Sequence, residues 1–584
     1  MCGRTFIHII SAQFGTFVYD HYKICEGKIM NSRNKFKPML FSNLKQYTFD
    51  QFVKDIISGI IVAIIALPLS IALALASGVG PEEGIYTAII AGFLISFFGG
   101  SRVQIAGPTA AFATIVAGIV AKNGMDGLIL ATLMAGIFLI LMGIFKFGSF
   151  IKFIPYTITT GFTAGIAVTI LIGQFKDFLG LTFPEGVKPI ETMDKLEAVI
   201  KNFGTINVHA LLIGIISLVI LIAWPYIPKV GSKIPGSLIA VIVGIFLVKF
   251  FNINANTIGD LYTISNSLPT LHIPVFSWGA VRSVLSDGFT IAVLAAIESL
   301  LSCVVADSMI NSHHRSNQEL IAQGIGNIGS ALFGGIPATG AIARTAANIK
   351  NGGRTPIAGM VHSLVLVLVL ILLMPYAALI PMPTIAAILF LVAYNMCGWK
   401  TFAHLCKTAP KSDIFVLVIT FVLTVVFDLV VAIGVGMVAA CILLMKRMAD
   451  ESDVKGWTYY DPDTDPDSIE LKQVPTAVRV YEISGPMFFG AADRIAEITL
   501  KEFTEVLIIR MRSVPALDAT AMHSLEQLHD RCKKNNVQLV FSHVNEQPYH
   551  TMEKDGFVDK IGADNFCEHI DDAIARAAAL TEEK

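Results

Sequence analysis

The sequence predicts a polytopic α-helical membrane region followed by a small soluble α/β domain. Three observations carry this. Of 584 residues, 54% are hydrophobic and only 15% charged, against about 25% charged in a soluble globular chain. The shortage is local: between residues 53 and 446 apolar blocks of roughly 18–25 residues recur, each long enough to cross a ~30 Å hydrocarbon core. From residue 450 onward the composition is ordinary and charged. The formal net charge of −2 gives no reason to expect nucleic acid as a partner.

The elements follow in order. Residues 1–52 form an N-terminal segment. Its first part, 1–29, holds one short apolar patch without a small-residue cleavage site, a poor signal peptide. From Met30, "MNSRNKFKPMLFSNLKQYTFDQFVKDI" reads as a cytoplasmic lead-in, so translation is expected to start at Met30. The membrane region, 53–448, carries 14 apolar segments: 53–77, 82–99, 107–121, 126–145, 153–174, 207–224, 235–251, 284–305, 318–333, 337–350, 356–374, 377–394, 412–428 and 430–446. Those at 107–121 and 337–350 are too short and too polar to span alone, and read as helices that begin inside the membrane. Residues 449–472 are acidic and turn-rich, and read as a linker. In 473–584, strand-like "AVRVYEIS", "EVLIIRM" and "VQLVFSHV" alternate with helix-like "RIAEITLKEF" and "ATAMHSLEQLHDRCKKN". No Gly-rich phosphate loop or catalytic-triad spacing occurs there, so an enzyme is not expected. The eight cysteines include no CxxC pair and read as apolar filler, with neither a disulfide framework nor a metal site.

An even number of crossings places both termini on one side. Arg33, Lys35, Lys37, Lys45, Arg102, Lys146, Lys152, Lys229, Lys233, Arg315, Lys350, Arg354, Lys400, Lys407, Lys411, Lys446 and Arg447 all fall on that side. By the positive-inside rule it is the cytoplasm.

The segments repeat. The first carries "ALPLSIALALASG" and the eighth "AAIESLLSCVVAD"; the third carries "AGPTAAFATIVA" and the tenth "GIPATGAIARTAA". Pro68 precedes Pro108 by 40 residues and Glu298 precedes Pro337 by 39; Pro108 precedes Pro155 by 47 and Pro337 precedes Pro383 by 46. Like features at near-constant spacing predict two seven-segment halves. Seven is odd, so the halves are inverted relative to each other, a plan of secondary transporters with the site between repeats at the midplane.

A helix N-terminus exposes unpaired N–H groups and partial positive charge. Two such ends, at 108–112 and 337–342, are predicted to face each other and to frame an anion site held by backbone donors. Thr109, Ala110, Ala111, Ala338, Thr339, Gly340 and Ala341 are small enough to admit a ligand to the backbone, and Ile342 and Ala343 continue that surface. Arg344, two turns into the predicted tenth helix, costs at least ~2.5 kcal/mol at membrane depth. It is expected to face a cavity or a partner and to add positive potential. Glu298 is the only acid between Asp287 and Asp307. It is expected to carry a proton with the anion, or with Ser302 to hold Na⁺; a salt bridge to Arg344 is the structural alternative. Pro68, Leu69, Ser70 and Leu73 form an apolar facing wall. His313 and His314 read as a solvated loop, and Asp413 and Asp428 as interfacial.

The stretches "AGPTAAFA", "IESLLSCVVAD", "HHRSNQELIAQGIGNIGSALFGGIPATGAIARTAANIKNGGRTPIAGMVHS" and "LTVVFDLVVAIGVGM" resemble the SulP/SLC26 anion transporter family, over residues 45–580. "VPALDATAMHSLEQL" resembles a STAS domain. The resemblance implies a 7+7 inverted repeat with a core of helices 1–4 and 8–11, a gate of helices 5–7 and 12–14, an elevator-like movement and a homodimer. It also implies a multi-pass place in the bacterial cytoplasmic (inner) membrane and a cytoplasmic protein partner for the STAS domain. The family's acidic position falls on Glu298, its cation-site hydroxyl on Ser302, its arginine on Arg344, and its helix 1 wall on Leu69 and Leu73.

The sodium-coupled bicarbonate members carry aspartate at the Glu298 position. "ATGAIARTAAN" is most similar to the C4-dicarboxylate transporters of the family (DauA-like). The expected function is therefore proton-coupled uptake of C4-dicarboxylates such as succinate, fumarate or aspartate, without a resident cofactor. Sulfate or sodium-coupled bicarbonate transport is the alternative. A passive anion channel, or a membrane-tethered signalling protein, is the reading from another class. In STAS modules that act as anti-sigma antagonists a phosphoserine lies in a strand–helix turn. Here that turn is "LDATAM", which makes Thr520 a candidate phosphosite, against simple helix capping by Asp518 or Thr520.

Overall fold

The computed structural model describes residues 36–44, 47–149, 154–184, 189, 191–227, 235–251, 253–274, 276–427, 429–456, 474–500 and 503–582. The Met30 start, Asp428 and the part of the linker beyond residue 456 lie outside them. The chain divides into two compact units, Met1–Met437 and Val438–Lys584.

Besides two short helices, Met39–Asn43 and Ile258–Leu261, the described helices of the first unit are α1 (Phe49–Ala76), α2 (Pro81–Phe98), α3 (Ala113–Ile144), α4 (Tyr156–Leu179), α5 (Thr192–Lys201), α6 (Val208–Ala223), α7 (Gly236–Phe251), α8 (Trp278–Ile310), α9 (Ser316–Leu332), α10 (Ile342–Lys350), α11 (Ile357–Ala377), α12 (Met382–Cys397), α13 (Trp399–Thr408) and α14 (Lys411–Val426). A further helix, α15 (Leu429–Glu451), runs on into the second unit. Among the described residues, nine helices are long and apolar enough to cross a membrane.

Local chemistry explains several boundaries. The Thr48 hydroxyl caps α1 by accepting from the Gln51 amide at 3.3 Å, and Ser277 caps α8 by accepting from Ala280 at 3.1 Å. Pro81 opens α2, where a missing N–H costs nothing. The break predicted between segments 107–121 and 126–145 falls at Gly124, whose non-helical backbone divides α3 into two helices across a kink. Gly124 has φ 68° and ψ −170°, a conformation that a side chain would strain. The short amphipathic helices α5 and α13 lie outside the predicted segments, because neither is long or apolar enough to read as a span.

Packing carries the mark of the repeat. Helix α1 packs on α11, and α8 on the second half of α3; α2 packs on α11, and α9 on the second half of α3. Helices α2 and α9 pack on each other, as do α4 and α12, while α4 packs on α14 and α12 on α6. Exchanging the halves turns each of these contacts into another of the set. One bundle holds α1–α3 and α8–α11, the other α4, α6, α12 and α14. Small residues set the spacing, as expected for helices in lipid: a Cβ on Gly84 would lie 2.2 Å from the Ser70 carbonyl oxygen, and one on Gly136 2.7 Å from that of Gly324.

Two short strands, β1 (Ala106–Gly107) and β2 (Thr339–Gly340), pair antiparallel, Ala106 opposite Gly340 and Gly107 opposite Thr339. The Ala341 amide extends the pair by donating to Ile105 at 2.9 Å. Non-helical backbone at membrane depth must be satisfied internally, and here each half satisfies the other.

The second unit is a five-stranded sheet of β3 (Asp453–Gly456), β4 (Val478–Ser484), β5 (Val506–Ser513), β6 (Gln538–Ser542) and β7 (Phe566–Cys567), in that order. The β3–β4 pair is antiparallel and the others parallel. Helix α16 (Ala519–Lys534) buries Met522, Leu525, Leu528 and Cys532 in a core with Leu507, Ile509 and Met511. The C-terminal helix α17 (Ile570–Glu582) lays Ala573 and Ala577 on Val506, Ile508 and Val540. The stretch predicted as linker is ordered at its start: α15 continues to Glu451, and β3 takes 453–456 into the sheet. Acidic, turn-forming residues hid a short edge strand. Among the described residues of the predicted helix "RIAEITLKEF", one helical turn is present, within Asp493–Ala496.

Candidate functional site

The strand pair sits in a frame of buried polar side chains. The Asn327 amide clasps Ala338 from both sides, accepting from its N–H at 2.8 Å and donating to its carbonyl at 2.9 Å. The Thr87 hydroxyl accepts from the Ile336 amide at 2.7 Å. The Thr345 hydroxyl accepts from the Ile105 amide at 3.0 Å, and Asn348 donates to the Val103 carbonyl at 2.8 Å. Gln104 donates to Ser299 at 2.9 Å. Glu319 accepts from the Gly100 and Ser101 amides at 2.8 and 3.1 Å and from Gln323 at 3.0 Å. These bonds leave little freedom in the chain entering each broken segment.

From the strand pair the chain leaves in opposite directions. One arm enters a 3₁₀ turn, Ala110–Phe112, and then α3; the other enters α10 at Ile342. Because 339–341 are extended for pairing, Arg344 lies in the first turn of α10, not two turns in. Its side chain is 3% exposed, and Nη2 donates to the Pro108 carbonyl at 3.2 Å. Nη1 has no hydrogen-bond partner, and a Cβ on Gly107 would lie 2.5 Å from it. A guanidinium from one half therefore lies against the chain of the other, with one nitrogen free.

Glu298 is half-buried at the middle of α8, and its Oε2 accepts from the Thr109 hydroxyl at 3.0 Å. Among the described residues it forms no ion pair with Arg344, so the predicted structural alternative is not formed. The Ser302 hydroxyl, one turn on, is fully buried and has no hydrogen-bond partner. The Thr339 hydroxyl is taken by the Ala295 carbonyl at 3.0 Å, which ties β2 to α8. Gly340 is covered by Gln104, whose Nε2 lies 1.8 Å from where a Cβ would stand; there the backbone, not a side chain, meets its neighbour. Ala110 and Ala111 are buried, Ala341 is half-buried, and Ile342 and Ala343 are exposed. On α1, Leu73 is buried and Leu69 half-buried, flanking the in-helix Pro68.

Outside this site, His314 is not a solvated loop residue. It is 6% exposed, and its Nδ1 meets Asp307 at 2.7 Å. His313 is exposed and Asp413 half-buried. In the second unit Asp518 caps α16, accepting from the Ala521 and Phe489 amides at 2.9 Å each; Thr520 is exposed in the first turn.

Sequence reasoning missed the frame. Glu319, Gln323, Asn327 and Ser330 recur at helical spacing within α9 and are all buried. Polar residues in phase inside an apolar segment were the available signal.

Comparison with known proteins gives a consistent picture. Residues 52–420 match the sulfate permease family, and residues 468–573 match the STAS domain. The chain is 40% identical over 540 residues to the "Putative sulfate transporter YvdB" of Bacillus subtilis, covering 91% of this chain and 99% of that protein. It is 33% identical to the "Bicarbonate transporter BicA" of Picosynechococcus, covering 81% and 85%. The solved structure titled "The overall structure of SLC26A9" superposes with a TM-score of 0.82 at 19% identity, covering 96% of this chain and 95% of that one, so the two share a fold. The chain therefore belongs to the sulfate permease (SulP/SLC26) family of anion transporters, multi-pass membrane proteins that here end in a STAS domain.

Proposed function

We propose that the chain is a secondary transporter that carries a small dianion, a C4-dicarboxylate by preference, in symport with protons. The observation that carries this reading is Arg344: a buried guanidinium with one free nitrogen, beside the starts of α3 and α10. A buried cation without a full set of partners is costly, and an anion bound to it and to the helix-start amides would relieve that cost. The substrate would then lie among Leu69, Leu73, Thr109, Ala110, Ala111 and 339–344.

Coupling follows from simple electrostatics. Glu298 is bonded to Thr109, a residue of the same site. Ionised, it opposes a nearby anion; protonated, it does not. Anion and proton therefore bind better together than alone, which is the linkage a symporter needs. The transport step would be an elevator-like slide of the α1–α3 and α8–α11 bundle along α4, α6, α12 and α14. A homodimer, cytoplasmic termini, a protein partner for the STAS domain and phosphorylation of Thr520 belong to the same reading.

A second reading has its own support. The 40% identical relative is named for sulfate, another dianion, and the 33% identical one for bicarbonate. The free Ser302 hydroxyl one turn from Glu298 would suit Na⁺ rather than H⁺ as coupling ion. Purified protein in liposomes, offered labelled succinate, fumarate, aspartate, sulfate and bicarbonate under pH or Na⁺ gradients, separates these. Accumulation of succinate driven by the pH gradient supports the first reading. Sodium-driven bicarbonate uptake would replace it, and conductance without accumulation would make the protein a channel.

A further inference from the structure

Where α1 ends, the first turns of α3, the second half of α4 and α5 enclose a cleft of about 370 Å³. Its floor is Ala113, Thr114 and Ala117, the opening turns of the helix whose start frames the candidate anion site. Its walls belong to both bundles, α1 and α3 on one side and α4 on the other, with α5 resting on α4.

The lining is cationic. Lys176 lies over the Phe183 ring, 5.2 Å from its centre, and both line the cleft. Lys195 enters from α5, half-buried, and loss of water pulls its ammonium below the usual lysine range. Among the described lining residues Asp177, next to Lys176, is the one acid and offsets one of the two cations. The other charges of α5 do not answer Lys195: Glu197 pairs with Lys201, and Asp194 is exposed. A partly desolvated cation in a low-dielectric cleft concentrates small anions.

We propose that this cleft is a capture site in which Lys195 holds a small dianion before it passes to the start of α3. The inference rests on the transport reading above for its purpose, but the site itself can be tested without transport. Because the walls come from two bundles, any slide of one along the other would change the cleft's width and release its occupant.

Two measurements decide it. In liposomes, Lys195→Gln raises the KM for the transported dianion by about 3- to 10-fold at low ionic strength and leaves kcat unchanged. Lys195→Arg restores the wild-type value, and high salt removes the difference. Independently, acylation of Lys195 by a water-soluble amine reagent is followed by peptide mass spectrometry. Millimolar sulfate or succinate slows it by about threefold or more relative to gluconate at matched ionic strength, in wild-type and in Arg344→Ala protein alike. Equal acylation rates with and without dianion, or an unchanged KM in Lys195→Gln, overturn the capture site. Protection of Lys195 in a protein that takes up none of the tested anions would instead sustain the capture site and remove the transport reading.

Discussion

The hydroxyl of Thr109 donates to Oε2 of Glu298 across 3.0 Å, so the start of α3 in one half and the centre of α8 in the other are joined by a single side-chain bond. Glu298→Gln keeps an acceptor for Thr109 while removing the charge. Accumulation driven by a pH gradient is expected to fall by about tenfold or more, while exchange of labelled for unlabelled anion continues. Counterflow and net uptake in the same vesicles check this; unchanged accumulation would exclude Glu298 as the coupling group.

Arg344 offers the anion one free guanidinium nitrogen. Losing a charge-assisted bond costs about 1.5–3 kcal/mol, so Arg344→Ala should lower kcat/KM roughly tenfold to a hundredfold. Arg344→Lys is expected to recover only part of this, because an ammonium cannot hold Pro108 and the anion in one planar fork. Size-exclusion profiles matching wild type would assign the loss to the site rather than to misfolding.

Gly84 has no room for a side chain, since a Cβ would stand 2.2 Å from the Ser70 carbonyl oxygen. Gly84→Ala must push α1 and α2 apart and is expected to cost about 1–3 kcal/mol, read as a lowered Tm in detergent. Gly118→Ala is the control: nothing lies within 4 Å of the added Cβ, so Tm should hold or rise slightly.

In the STAS domain Asp518 holds two amides, those of Ala521 and Phe489. Asp518→Ala should destabilise the start of α16 by about 1–2 kcal/mol. Faster hydrogen exchange at 519–522 in the full-length protein would report it. Thr520→Ala, at an exposed position, should leave that exchange unchanged.

The order of apolar segments, their division into two like halves and the polar breaks at "AGPT" and "GIPATG" were legible because each rests on length or spacing. The helix starts were less so. A two-residue strand has no periodicity, so β1 and β2 left no trace beyond small residues and proline, and Arg344 was placed two turns into its helix rather than in the first. The break expected between 107–121 and 126–145 is present, and Gly124 makes it by leaving the helical region of backbone space. His314 was misread because its partner Asp307 lies across a turn, which no local pattern displays. Thr109 and 339–344 came from the paired polar breaks, and Leu69 and Leu73 from the wall of the first segment and the family resemblance; the bond between Thr109 and Glu298 joins two distant segments, which no local pattern displays.

The pairing of β1 with β2 also bears on how the protein is made. Ribosomes deliver the first half to the bilayer well before Thr339 and Gly340 exist. During that interval the backbone of Ala106 and Gly107 lacks the partner it has in the finished fold, and lipid offers no substitute. Nascent chains cut short before β2 should therefore stay open to water or to the insertion machinery at this point. The gap closes only when β2 arrives, so completion of the site waits on the second half of the membrane region.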